Sequence, residues 1–187
     1  MCGFIGGVSD GDRRLDLRRG LPFLARRGPD SQRAWTSADG RVSLLHARLS
    51  IVDFDERANQ PMTDASGQVT VVFVGEIYNY RELRQGMPEY PYWTESDTEV
   101  ILAQYLTHGV EGFRRLRGMF IVAIADQRRR RVVLVRDPVG KKPLFIGNVG
   151  GATLFGCTVT AMLAAAGQVA EIDAAAMGDY ADRKSVV

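Results

Sequence analysis

The second residue of the chain, in Met1-Cys2-Gly3-Phe4-Ile5-Gly6-Gly7, has the type and position most suggestive of chemistry. A side chain as small as that of Cys2 lets an initiator methionine be trimmed, leaving a thiol and a free α-amine on one residue. Their ordinary pKa values, about 8.5 and about 7.7–8.0, suit attack on a carbonyl and proton transfer near neutral pH. The pair is a nucleophile with an adjacent base and needs no histidine. Taken alone, the same start also fits a small buried thiol, since free cysteine is often buried. His46 and His108 supply no metal set, because neither has a Cys or second His at ligand spacing; no cofactor is expected. Val139-Gly140-Lys141-Lys142 lacks the leading glycine and the Ser or Thr of a phosphate loop.

These residues sit in a chain of ordinary globular composition, 187 residues with 45% hydrophobic and 25% charged side chains. The net charge of +2 calls for no polyanion, so no nucleic-acid partner is expected. Arg128 to Arg131 lies between two apolar strands without interleaved aromatics and reads as a solvated hairpin turn. No apolar run reaches membrane-spanning length, no signal-peptide pattern opens the chain, and two cysteines make no disulfide framework. A cytoplasmic location is the resulting expectation.

The elements that would position Cys2 follow from hydrophobic pattern. Phe4 to Val8 reads as a buried strand leading away from the thiol, Asp10-Gly11-Asp12 as a turn, and Leu15 to Arg27 as helical with an interruption. Pro22 belongs in the first turn of the second short helix. Arg33–Thr36 and Val42–Val52 predict a hairpin about Ser37-Ala38-Asp39-Gly40, after a sharp loop at Gly28-Pro29-Asp30. Val69 to Phe73 is another strand. Ser96-Asp97-Thr98-Glu99 fits a capping box for a helix that reaches His108 and ends at Gly109. Met119–Asp126, Val132–Arg136, Leu144–Val149 and Ala152–Phe155 read as strands, and Thr158–Ala166 and Ala174–Tyr180 as helices. Strands grouped early and late, with helices between and after, predict an α+β fold of two stacked sheets covered by helices.

Several segments occur together in an order that resembles a known family. They are Cys2-Gly3-Phe4-Ile5-Gly6, Arg27-Gly28-Pro29-Asp30, His46-Ala47-Arg48-Leu49-Ser50-Ile51-Val52-Asp53, Gln60-Pro61-Met62, Gly75-Glu76-Ile77-Tyr78-Asn79, Ser96-Asp97-Thr98-Glu99-Val100, Gly118-Met119-Phe120 and Arg136-Asp137-Pro138-Val139-Gly140-Lys141-Lys142-Pro143-Leu144. From Cys2 to about Tyr180 the chain resembles the glutaminase domain of asparagine-synthetase-like class II glutamine amidotransferases, which are N-terminal-nucleophile hydrolases. The resemblance implies a four-layer αββα sandwich of two antiparallel sheets, forming one domain over residues 1–187. It implies that Cys2 attacks a side-chain amide while its α-amine carries the proton. Arg48 would grip the α-carboxylate of glutamine with its planar fork, and Glu76 and Asp97 would take the α-ammonium. Ile51 and Val52 fall among the substrate-binding positions. Gly75 would offer a backbone donor to the oxyanion hole, and Arg136 to Pro143 would be a structural loop.

Two departures bear on function. The family carries Asn before Gly-Glu-Ile-Tyr-Asn, and this chain carries Val74, which cannot donate to an oxyanion. The family usually continues into an ATP-binding synthetase domain, which is absent from residues 1–187; Cys157-Thr158 stands where relatives have Ser-Glu. Three readings stay open. The first is a glutamine amidohydrolase supplying ammonia to a separate synthetase subunit, and the second a stand-alone amidase or acyl transferase whose pocket Val74 reshapes. The third is a catalytically silent scaffold.

Overall fold

The computed structural model describes residues 2–9 and 14–169, together with 174, 175, 177 and 178. The turn expected at Asp10-Gly11-Asp12 lies outside the described residues, as does part of the helix expected over Ala174–Tyr180; its described members are helical.

Two antiparallel sheets carry the fold. The first has the order β2-β3-β1-β9-β8, built from β1 (Gly3–Ser9), β2 (Ser31–Thr36), β3 (Val42–Arg48), β8 (Phe145–Val149) and β9 (Ala152–Gly156). The second has the order β4-β5-β6-β7, from β4 (Met62–Thr63), β5 (Val69–Ile77), β6 (Gly118–Asp126) and β7 (Arg131–Arg136). Strand alternation sorts the core. Val72 and Val74 of β5 join Phe4, Leu44, Ile121 and Phe155 in the main cluster, while Val71, Phe73 and Ile77 join Ile101, Leu102 and Tyr105 of α3 (Asp97–His108). On the other side, Leu24 of α1 (Leu21–Ala25) and Ala161 of α4 (Val159–Ala166) complete the main cluster. The layers therefore run helix, sheet, sheet, helix, as expected.

Most expected strands appear within a residue or two of their predicted bounds, and Pro22 does open the first turn of α1. The helical stretch before it is a 3-10 turn over Leu17–Gly20. Several local features differ. The strand expected over Val42–Val52 stops at Arg48, because the Arg48 guanidinium gathers the carbonyls of Val52, Asp53 and Asp55 around itself and turns the chain. β5 runs on past Phe73 to Ile77, and the short elements β4 and α2 (Tyr80–Gln85) were not expected. The capping box is only half made: Ser96 Oγ accepts from Thr98 N at 3.1 Å, but Glu99 turns to the N–H groups of Trp93 and Thr94, at 2.9 and 2.7 Å.

Candidate active site

Cys2 stands at the head of β1, half-buried, and is fixed from two directions. Arg27 Nε donates to its carbonyl at 3.2 Å, and the Leu49 peptide brackets the sulfur, with Sγ 3.3 Å from Leu49 N and 3.4 Å from Leu49 O. The segment holding Leu49 is in turn pinned by Ser50 N donating to Asp30 Oδ2 at 2.7 Å and Asp30 N donating to Arg48 O at 3.0 Å. Gly28 makes that close approach feasible, since a Cβ there would lie 2.2 Å from the Ala47 carbonyl.

A small cavity of about 60 Å³ opens beside the thiol, lined by Cys2, Arg48, Ile51, Val52, Gly75, Glu76 and Asp97 among others. The wider hollow of about 530 Å³ bounded by Ser37, Arg41 and Arg131 has no thiol among its described lining residues. Seven of the eight residues singled out from sequence thus meet at one place. The eighth, Val74, is 1% exposed and belongs to the inter-sheet cluster against which Cys2 packs; it is not among the cavity-lining residues. The pocket-wall role considered for Val74 does not match that position, because on β5 its side chain points into the core.

Arg48 also behaves differently from a free fork. Nη1 donates to Asp55 O at 3.3 Å and to Asn59 Oδ1 at 2.9 Å, and Nη2 donates to Val52 O at 3.2 Å and to Asp53 O. Four of the five guanidinium N–H donors therefore shape the cavity wall, leaving Nε–H and a buried positive charge. Asp53, at φ 59°, ties this loop to the segment before α3 by accepting from Glu95 N at 2.7 Å.

The backbone of Gly75 is the open donor. Its φ of 144° is glycine territory, and a Cβ would fall 2.0 Å from Met119 O. Antiparallel partners alternate between exchanging hydrogen bonds and facing away. Phe120, opposite Gly75, directs both its polar groups to Asp137, with N to Oδ2 at 3.2 Å and O to Asp137 N at 2.9 Å. Gly75 must therefore point its own N–H away from β6. Phe73 and Ile77, in the same phase, do so: Ile77 N donates to Asp97 Oδ2 at 3.2 Å. Outside the β6 ladder the Gly75 N–H meets no partner among the described residues.

The two acids differ in setting. Glu76 is exposed, whereas Asp97 is 6% exposed in the first turn of α3. Burial pushes the Asp97 carboxyl up to about 6, with the Ile77 N–H working against that rise and the Glu76 charge adding to it. A hidden carboxylate beside another acid is a place for an incoming cation. Among the described residues no group of three or more His, Cys, Asp or Glu could hold a metal ion, and no helix is long and apolar enough to cross a membrane.

Sequence reasoning gave no role to Arg27 and Gln60, although both lay inside quoted segments. Leu49 acts through its peptide, which no residue type reveals, and Phe73, Ser96 and Thr98 line the cavity through the fold.

A profile of the glutamine amidotransferase domain matches residues 1–187. Similar proteins include an asparagine synthetase [glutamine-hydrolyzing] 1 of Bacillus subtilis, 33% identical over 96% of this chain and 29% of that protein. Amidase chry2 of Gibberella zeae is 35% identical over 74% of this chain and 21% of its own length. The chain thus spans less than a third of these curated relatives. Among solved structures, glutamine phosphoribosylpyrophosphate amidotransferase from B. subtilis shares the fold, with a TM-score of 0.71 and 19% identity over 89% of this chain and 44% of that one. By sequence and by architecture, this chain belongs to the glutamine amidotransferase domain family, in its asparagine-synthetase-like class II branch.

Proposed function

We propose that the chain hydrolyses the side-chain amide of glutamine, with Cys2 as nucleophile, and delivers ammonia to a synthetase unit outside residues 1–187. The observation that carries this reading is one cavity holding the Cys2 sulfur, the outward-facing Gly75 N–H and the Asp97–Glu76 acid pair. Once Met1 is removed, the Cys2 α-amine takes the thiol proton as sulfur bonds to the amide carbon. The carbonyl oxygen becomes an oxyanion facing the Gly75 N–H. Collapse expels ammonia carrying the shuttled proton and leaves a thioester; water then adds, glutamate departs and the thiol is restored. Asp97 and Glu76 hold the α-ammonium, the Arg48 charge faces the α-carboxylate, and Ile51 and Val52 close the wall.

Val74 supplies no side-chain donor to the oxyanion. Loss of one such donor costs on the order of 3–4 kcal/mol, about 10²- to 10³-fold in turnover. Slow glutaminase activity is therefore expected. Val74 sits in the cluster that Cys2 packs against, so Val74→Asn should raise the rate. The test is ammonia release from glutamine by protein whose intact mass lacks Met1, with Cys2→Ala as the inactive control.

A second reading rests on a relative named as an amidase: turnover of a different amide. It holds if Cys2→Ala abolishes cleavage of another amide while Val74→Asn leaves glutamine uncleaved.

A further inference from the structure

β4 is two residues long, and its pairing with β5 ends at Met62 opposite Val71. Beyond that point β5 has a strand on one edge only, yet the polar groups it turns to the other edge are buried and need partners. Two side chains take the place of the missing strand at Phe73. Gln60 Oε1 accepts from Phe73 N at 2.6 Å, and His46 Nε2 lies 3.1 Å from Phe73 O. A carbonyl can only accept, so that nitrogen carries the His46 proton and Nδ1 is left bare, with no partner among the described residues. Burial keeps the imidazole neutral, pushing it down to about 3. Water has little access to either side chain to exchange for these bonds, Gln60 being 5% exposed at the cavity edge and His46 0%.

The other end of the Gln60 amide matters equally. Nε2 donates to Thr98 Oγ1 at 2.9 Å, in the first turn of α3 and next to Asp97. One amide therefore ties the strand of the oxyanion donor to the helix of the ammonium-binding acid. His46, on β3 opposite Phe4, ties the same Phe73 peptide to the sheet that carries Cys2. Phe73 is the residue two before Gly75, in the same phase, so its two anchors fix the height and tilt of the next outward N–H.

We propose that Gln60 and His46 are positioning residues that hold the Gly75 N–H in register with the Cys2 sulfur, replacing the strand that β4 fails to provide. The proposal rests on the glutamine-hydrolysis reading. Misplacing a reacting group by about 1 Å can cost 10²-fold in rate. An oxyanion contact is made only in the transition state, so its loss lowers kcat and leaves KM in place.

The experiment measures kcat and KM for glutamine in the unaltered protein, Gln60→Met, Gln60→Glu and His46→Phe, with folding of each checked by circular dichroism. Gln60→Met removes both bonds at similar volume, whereas Gln60→Glu keeps an acceptor for Phe73 N and for the Thr98 hydroxyl. The expected result is a fall in kcat of about 10-fold or more in Gln60→Met with KM changed less than about twofold, and substantial recovery in Gln60→Glu. Amide hydrogen exchange should quicken at Phe73 in the folded Gln60→Met protein. Should Gln60→Met fail to fold, His46→Phe carries the same kcat-against-KM test from the other anchor. An active parent protein with kcat unmoved in the folded variants, or with no recovery in Gln60→Glu, overturns the positioning role alone. A parent free of Met1 that cleaves no glutamine overturns the functional reading, and this one with it.

Discussion

Asp97 and Asp126 lie toward opposite ends of β5, one against Ile77 and the other opposite Val69, and both are almost wholly buried at 6% and 1% exposure. Their surroundings are opposite in kind. At Asp126, burial works against the charge, but the Arg128 guanidinium, the Tyr105 hydroxyl and the Arg129 N–H outweigh it and bring the carboxyl down to about 2. Tyr105 Oη donates to Asp126 Oδ2 at 2.7 Å and accepts from Arg131 Nη2 at 3.0 Å, so the network is closed on itself. At Asp97, burial prevails and, among the described residues, no cation is hydrogen-bonded to the carboxylate; the acid is pushed up to about 6. The first arrangement holds a turn in place. The second carries an unmet demand for positive charge, the condition expected where a substrate ammonium is to enter.

This contrast yields measurable consequences at three positions, the largest at Asp97. Asp97→Asn should lower kcat/KM for glutamine by about 10²-fold or more, since an ammonium then loses its buried counter-charge. The same change should stabilise the fold at neutral pH, on the order of 2–3 kcal/mol by denaturant titration. The sign follows from proton binding. The folded protein keeps the Asp97 proton to about pH 6 and the unfolded chain releases it near 3.8, so stability is lost as pH rises between those values. Asparagine removes that loss, and the gain should vanish near pH 4. In the parent protein, KM should climb by up to about tenfold per pH unit below 6 as Asp97 takes its proton.

Asp126→Asn should move the other way, costing about 2–3 kcal/mol of stability while leaving KM for glutamine unchanged. Here the folded carboxyl is depressed, so the stabilisation is present above pH 3.8 and lost as pH falls toward 2. Tyr105→Phe should cost about 1–2 kcal/mol, the smallest of the three effects, again without a change in glutamine turnover. A drop in activity from Asp126→Asn comparable to that from Asp97→Asn would erase the distinction between the two ends.

Much of the sheet framework was legible because β-branched runs such as Val69–Phe73 and Val132–Arg136 carry their pattern locally. β4 and α2 escaped notice because two and six residues are too few for a period to show. The early end of β3 was invisible for another reason: the turn after Arg48 is made by a side chain collecting carbonyls up to seven residues ahead. Glu99 had the spacing of a capping box, yet it accepts from the N–H groups of Trp93 and Thr94, while Ser96 N donates to Thr94 Oγ1 instead.

Residue types in their order carried the family resemblance, and through it pointed to the Cys2 thiol, to the acids Glu76 and Asp97, and to the lack of a side-chain donor at Val74, since functional groups are covalent facts that folding does not alter. Three-dimensional arrangement settled which donors are free and which charges are costly. Gly75 keeps an outward N–H because Phe120 turns to Asp137 beyond β7, Arg48 is held by its own loop, and Gln60 joins Phe73 and Thr98, which lie 13 and 38 positions after it. Hydrogen-bond availability and proton affinity depend on neighbours in space and on exclusion of water, neither of which is written in the order of residues.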